Sequence, residues 1–451
     1  MTKDLTTGSP LKLIIGFAFP MFLGMVFQQF YSMVDTMIVG KFLGLEALAG
    51  VGSTGAINFM VLGFCMGICN GFAIPVAKMF GAKKEAELRR YVANSTWLCI
   101  AFSVVLTAAV VIFCRQILTL LNTPADIFEH AYNYIVIIFA GIPCMILYNI
   151  LAAIIRSLGD SKTPVVFLAV SSVLNIGLDL LFILTFDMGV AGAAWATVLS
   201  QGISGVVCLF YMRKKYQILR GSRDDWKIRP SYMSELCGVG VPMGLQYSIT
   251  AIGSLVVQFA VNGLGATVVA GVTASQKIMQ FACCPFDTLG QTMAPYSSQN
   301  LGAGRIDRIG EGMKVANICG FIVSAVMLLV LVLGGRALSC LFLDPSETAA
   351  IEYSYQFMVV AAAAYCLLTL VNTVRFTIQG MGFSMFAVTA GVMEMFARTL
   401  AALALVPIMG FWGIALAHPL AWVFADAFLI PSYFICKKRL QTEEKKLLKC
   451  A

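Results

Sequence analysis

The sequence predicts an all-α polytopic membrane protein, with twelve transmembrane helices in two parallel-repeat six-helix lobes. Three observations lead there. The composition is 59% hydrophobic and 12% charged over 451 residues, whereas a soluble domain is about 45–50% apolar and about 25% charged. The apolar runs are long and rich in Leu, Ala, Met and Gly, and a membrane helix needs about 20 apolar residues in a row. The second half of the chain also repeats the first. Only helices and closed barrels satisfy backbone polar groups in lipid, and the alternating pattern of barrel strands is missing.

The spans follow in order. Span 1 (13–39) carries Pro20 and Asp35, and span 2 (48–79) opens on glycines. Span 3 (91–114) follows a loop with Lys83, Lys84, Arg89 and Arg90, and span 4 (130–155) stops before Arg156. Span 5 (164–186) contains LNIGLDLLF and turns at Asp187–Gly189 into span 6 (190–212). The charged stretch RKKYQILRGSRDDWKIRP (213–230) separates the halves. Span 7 (234–262), span 8 (268–299), span 9 (313–335) and span 10 (350–379) come next. Gly410 turns span 11 (384–408) into span 12 (410–436). Spans above about 25 residues allow tilt or extension beyond the lipid. The expected division is an N-terminal lobe at 1–212, a linker at 213–233 and a C-terminal lobe at 234–451 with a short tail. Cleaving an N-terminal signal would leave the rest as apolar as before, so no secretory peptide is expected.

Basic residues orient the chain. Of 31 Lys and Arg, 25 fall on the side that holds both termini, Arg375 among them, and only Lys41, Arg115 and Arg336 fall opposite. By the positive-inside rule both termini are expected in the cytoplasm. The rule also accounts for the net charge of +8, so nucleic acid is not an expected partner. The fourteen cysteines lie mostly within spans and read as small packing residues.

The repeat has an offset near 221 residues. Pro20-Met21 matches Pro242-Met243, FLGLEALAGVGST (42–54) matches GLGATVVAGVTAS (263–275), and Val92-Ala93-Asn94 matches Val315-Ala316-Asn317. RSLGDS (156–161) lies against QGMGFS (379–384), and GVAGAAWA (189–196) against GFWGIALA (410–417). Six spans per repeat is an even number, so the repeats are parallel. That is an arrangement of secondary transporters, in which two halves rock about a site.

Five acidic residues fall well inside spans: Asp35, Asp179, Asp287, Glu394 and Asp426. A carboxylate at a helix centre costs roughly 2.5–3.5 kcal/mol on insertion scales, and such groups usually face a cavity or a partner. Asp179 and Asn175 are one turn apart on one helix face. Together they make a polar spot for a proton, Na⁺ or a cationic group. Asp35 lies fifteen residues after Pro20, which can bend the helix. Glu394 and Arg398 are also one turn apart and can pair with each other. Asp287 follows Pro285 and stays open between a cavity-facing and a structural role. A structural role is expected for Asp426, and a packing role for His418.

No enzyme constellation emerges. The GxSxG, HExxH and P-loop patterns are missing, and GVGSTG (50–55) opens an apolar span rather than following a strand. The chain encodes no ATP-binding module, and no cofactor is expected.

FPMFLGMVFQQFYSMVDTMIVGKFLGLEALAGVG in span 1 and the loop after it resembles the multidrug and toxic compound extrusion (MATE) family. AAIIRSLGDSKTP, NIGLDLLF, GVAGAAWATVLSQ and NLGAGRIDR fit the same family, and the resemblance covers nearly the whole chain. It implies an inner-membrane antiporter that exports cationic or amphipathic compounds in exchange for H⁺ or Na⁺. It also implies a site of Asp35, Tyr134, Asn175, Asp179 and Thr197, with Na⁺ held, if at all, by Asp35, Asn175 and Asp179. Pro20 corresponds to the bending proline. Some members carry acidic residues in spans 7 and 10. Here span 7 offers Gln258 and Asn262, and span 10 has only Glu352 near its outer end. Asp287, Glu394, Arg398 and Gln258 are secondary candidates. The expected partners are small cationic or amphipathic molecules and membrane lipid, with the chain as a monomer. The alternative is a lipid-linked precursor flippase of the same broad superfamily, which would need a basic cavity.

Overall fold

A computed structural model describes residues 2–121 and 123–450; Met1 and Ala451, the outermost residues of the two expected lobes, lie outside them. The described residues are almost wholly helical and contain no strand. The first repeat comprises α1 (Pro10–Ser53), α2 (Gly55–Gly81), α3 (Glu85–Ile112), α4 (Cys114–Leu120), α5 (Phe128–Ala140), α6 (Ile142–Ser157), α7 (Lys162–Leu180) and α8 (Gly189–Lys215). The second comprises α9 (Pro230–Asn262), α10 (Ala266–Gly302), α11 (Ile306–Ser339), α12 (Thr348–Ala363), α13 (Tyr365–Gly380), α14 (Ser384–Leu400), α15 (Val406–Met409), α16 (Phe411–Ala415) and α17 (Ala417–Cys450).

Among the described residues nine helical stretches are long and apolar enough to cross a membrane, and two bent pairs bring the number to eleven. The bent pairs are α5–α6, bent by 49°, and α12–α13, bent by 52°. They correspond to expected spans 4 and 10. The remaining expected span is α10, whose 37 residues include many Ser, Thr and Gln. Most of α10 is buried, and it packs against α11, α12 and α13. A helix that faces protein on most sides has no need of an all-apolar surface.

The two repeats agree in backbone detail. Gly44 (φ 86°) interrupts α1, and its counterpart Gly265 (φ 94°) precedes α10. Gly159 and Gly382, and likewise Gly189 and Gly410, also have positive φ. π-helical turns at Leu181–Thr185 and Ala401–Leu405 close α7 and α14. A surface triad recurs as well. Arg115 bonds Glu129 (3.1 Å) and lies 4.2 Å from the centre of the Tyr132 ring, and Arg336 bonds Glu352 (3.0 Å) and lies 3.8 Å from that of Tyr355.

Contacts divide the chain into two compact units: residues 1–4 with 23–244, and residues 5–22 with 245–451. Two helices therefore change unit midway, α1 after Phe22 and α9 after Gly244. Each change comes two residues after a proline, Pro20 in α1 and Pro242 in α9. The helix runs on through both prolines, and the non-helical residue inside α1 is Gly44. Each proline removes the bond to the carbonyl four residues earlier, which belongs to Gly16 or Gly238.

In the first unit, the opening of α9 lies against α2 backbone to backbone. A Cβ on Gly71 would stand 2.4 Å from Gly240 Cα, and one on Gly67 2.5 Å from the Met243 carbonyl oxygen. Linker residues are tied to α3: Asp225 receives Arg89 Nε (3.3 Å), and Asn94 Oδ1 accepts the Arg229 N–H (2.9 Å). In the second unit, Leu13, Ile14, Phe17 and Met21 of α1 share a core with Met293 and Tyr296 of α10. Within NLGAGRIDR, Arg308 donates to Asn300 Oδ1 (3.2 Å) and to the Gly8 carbonyl (2.8 Å). Arg375 belongs to this unit too. The positive-inside count placed it with the basic residues on the side of the termini, and it is 5% exposed inside α13 with a carboxylate from α14 against it.

Asp160 of RSLGDS starts α7. Its Oδ1 accepts the Lys162 and Thr163 N–H groups (3.0 Å each), and its Oδ2 accepts the Thr163 (2.8 Å) and Tyr216 (2.7 Å) hydroxyls. Burial opposes its charge, but these donors outweigh burial and lower its pKa from 3.8 to about 2. A lowered folded-state pKa contributes stability above the unfolded value and loses it as pH falls toward the folded one. Asp160→Asn should therefore be less stable than native protein at neutral pH. The difference should shrink as pH falls from about 4 toward about 2, followed by thermal unfolding in detergent. Gly71→Val should lower stability by about 1–3 kcal/mol through overpacking against α9. An unchanged melting temperature would show that α2 and α9 can separate freely.

Candidate functional site

Helix geometry assembles the principal site within the first unit. Asn175 and Asp179 lie one turn apart on α7, and both are buried. α1 contributes Asp35, α5 contributes Tyr134 and α8 contributes Thr197. The Asp35 and Asp179 carboxyl groups lie close enough to act on each other. The Oδ1 atom of each is buried without a hydrogen-bond partner.

Asn175 orders the α7 side of this pair. Oriented to suit both neighbours, its amide donates to Asp179 Oδ2 (3.2 Å) and accepts from the Thr197 N–H (3.2 Å). Asn175 thus links Asp179 to α8. Tyr134 is buried and close enough to interact with both carboxyl groups. Tyr31 stands in the same position toward them. The sequence reading missed it, although it lies one turn before Asp35 in YSMVD, where helical spacing puts both on one face.

All five principal residues therefore meet, and Tyr31 joins them. Two partnerless carboxyl oxygens fit a proton directly. They also supply anionic oxygens for Na⁺, with Tyr31, Tyr134 and Thr197 as neighbouring neutral oxygens. Among the described residues no group of three or more His, Cys, Asp or Glu side chains could hold a metal ion.

The secondary candidates belong to the second unit and do not form one cluster. Asp287 accepts from Asn372 Nδ2 of α13 (3.1 Å). Gln258 donates to Asn262 (2.9 Å), one turn along α9. Glu394 binds Arg398 (3.3 Å), as its spacing suggests, but also binds Arg375 of α13. The expected pair is thus a buried triad of one carboxylate between two guanidinium groups. His418 packs against Phe357 and Trp422.

The sequence matches the family model MatE over residues 20–181 and 242–403. It is 28% identical to the probable multidrug resistance protein YoeA of Bacillus subtilis over 438 residues, covering 94% of this chain and 93% of that protein. It is 32% identical to the probable multidrug resistance protein YpnP of the same organism over 306 residues, 68% of each. The fold resembles a solved outward-facing multidrug resistance MATE family transporter of the MOP superfamily, with a TM-score of 0.90 at 20% identity over 97% of this chain and 98% of that one.

Proposed function

The chain belongs to the MatE family of multidrug and toxic compound extrusion transporters, and we propose that it exports cationic or amphipathic compounds by antiport against H⁺ or Na⁺. As a multi-pass member it transports rather than catalyses a chemical reaction. The observation that carries the coupling is the Asp35–Asp179 pair, two neighbouring carboxyl groups each with a buried oxygen that has no hydrogen-bond partner. A buried charge without a partner is strongly disfavoured, so the pair favours taking up a cation. Tyr31, Tyr134, Asn175 and Thr197 position it.

In this reading the protein lies in the inner membrane with both termini in the cytoplasm, in keeping with its basic loops. It works as a monomer among membrane lipids. Drug enters from the cytoplasm or inner leaflet, and ions from outside occupy the pair. Pro20 and Pro242, which stand just before α1 and α9 change unit, serve as the bending points for alternating access. A ligand shifts the two states only by its differential affinity for them. One proton crossing about 100 mV supplies roughly 2.3 kcal/mol. At about 1.4 kcal/mol per tenfold, that holds a gradient of about 40-fold for a neutral substrate. One-for-one exchange of H⁺ with a monovalent cation moves no net charge, so only the pH difference drives it.

Dye efflux from proteoliposomes tests the reading, with a pH gradient and a Na⁺ gradient imposed separately. Native protein should respond to one of them, and Asp35→Asn and Asp179→Asn should each lose the gradient-driven component. Full coupling in both variants would remove this pair as the coupling site. Absence of dye transport by native protein, with binding of anionic lipid-linked sugars, would favour the flippase reading.

A further inference from the structure

The triad Arg375–Glu394–Arg398 leaves one buried acid unexplained. Asp426 of α17 is 5% exposed, and neither of its oxygens has a hydrogen-bond partner. Arg375 and Glu394 are close enough to act on it electrostatically. Arg375 keeps its Nε–H unpartnered, and Arg398 keeps two nitrogens unpartnered. Donors and acceptors thus stand near one another without bonding. An ionised Asp426 would have been drawn to a free donor of Arg375, so the arrangement is that of a neutral acid. Both oxygens are closed off from solvent, and a proton is the one ligand that needs no volume.

We propose that Asp426 is a second proton-binding residue, carried by the second unit and separate from the Asp35–Asp179 pair. When a local opening admits water and the O–H bond breaks, the proton passes to that water and the carboxylate accepts the free N–H of Arg375. Ionised Asp426 then competes with Glu394 for that guanidinium. Proton loss therefore acts on how α13, α14 and α17 are held together. Arg375 on α13 and Glu394 on α14 act on it, Arg398 pairs with Glu394, and α17 itself carries His418, Tyr433 and Cys436 two or more turns away. Asp287 of α10 acts on Arg375. Of the other elements packed on α17, α16 and the turn at 401–405 carry no titratable group. α11 brings Glu311 and Lys314 near its start, and α12 brings Glu352, which pairs with Arg336. The pairing of Gly189 with Gly410 sets Gly205 opposite Asp426, so the first repeat carries no acid at that place.

Its part in transport rests on the antiport reading above, but its protonation does not. Infrared absorption of the purified full-length protein in detergent, titrated between pH 5 and pH 9 without substrate, reads it directly. Native protein should show a protonated-carboxyl band that Asp426→Asn lacks and Asp35→Asn keeps. Asparagine mimics the neutral acid in shape and charge. Should that variant fail to fold, Asp426→Glu should move the band. Glu394→Gln frees Arg375, so the Asp426 band should disappear at lower pH in that variant. In proteoliposomes Asp426→Asn should move about one proton fewer per dye molecule. A carboxyl spectrum the same in native, Asn and Glu forms would overturn the proposal. Native protein that moves no dye yet shows the Asp426 band would defeat the antiport reading and leave this one standing.

Discussion

A carboxyl group inside hydrocarbon must be neutral, paired or bound to a cation, and both units answer that constraint in different ways. In the first unit two acids stand near each other, each with a buried oxygen that has no hydrogen-bond partner. In the second unit Glu394 is matched by two arginines and forms an ion-paired triad with them. A symmetrical ancestor of both halves would have offered equivalent positions, so the difference between them is where the chemistry was added.

Residue pairing along the repeat shows what changed. Carrying the match of Ser161 with Ser384 along α7 and α14 sets Arg398 opposite Asn175, Glu394 opposite Ser171 and Ala402 opposite Asp179. Carrying the match of Gly189 with Gly410 along α8 and the second repeat sets His418 opposite Thr197. Around Asp35 the second half has Val256 and Val257. Both acids of the first site are therefore replaced by apolar residues in the matching places, and an arginine stands opposite Asn175. The backbone kept its positive-φ glycines, π turns and paired bends through these changes. Scaffold and charge have diverged at different rates because lipid restricts the backbone far more than it restricts a buried side chain that finds a partner.

Much of this was legible because membrane helices depend on local composition. The spans, the repeat and the gathering of Asp35, Tyr134, Asn175, Asp179 and Thr197 follow from apolar run length, fixed spacing and family resemblance. What escaped depends on contacts between helices. Arg375 reads as a loop charge near a span end, and only the approach of α14 makes it a buried partner of Glu394. The bend at Ala364 has no proline to mark it, although its counterpart at Gly141 is followed by Pro143. Tyr31 carried a usable signal in its spacing from Asp35.

The prolines join the charge argument to motion. Pro20 and Pro242 each remove one backbone hydrogen bond just before their helix passes from one compact unit to the other. The carbonyls they release belong to glycines, so no side chain at those positions resists a local change of backbone angle. Asp35 lies on α1 beyond this point, at about 1.5 Å of rise per residue, in the part that belongs to the first unit. On the antiport reading, a change in protonation at Asp35 would act on a helix already weakened where it leaves the second unit. α9 has the same weak point, but beyond the proline α1 carries an acid where α9 carries two valines. On the antiport reading, a helix pair built alike but loaded on one side gives ion binding a direction in which to act.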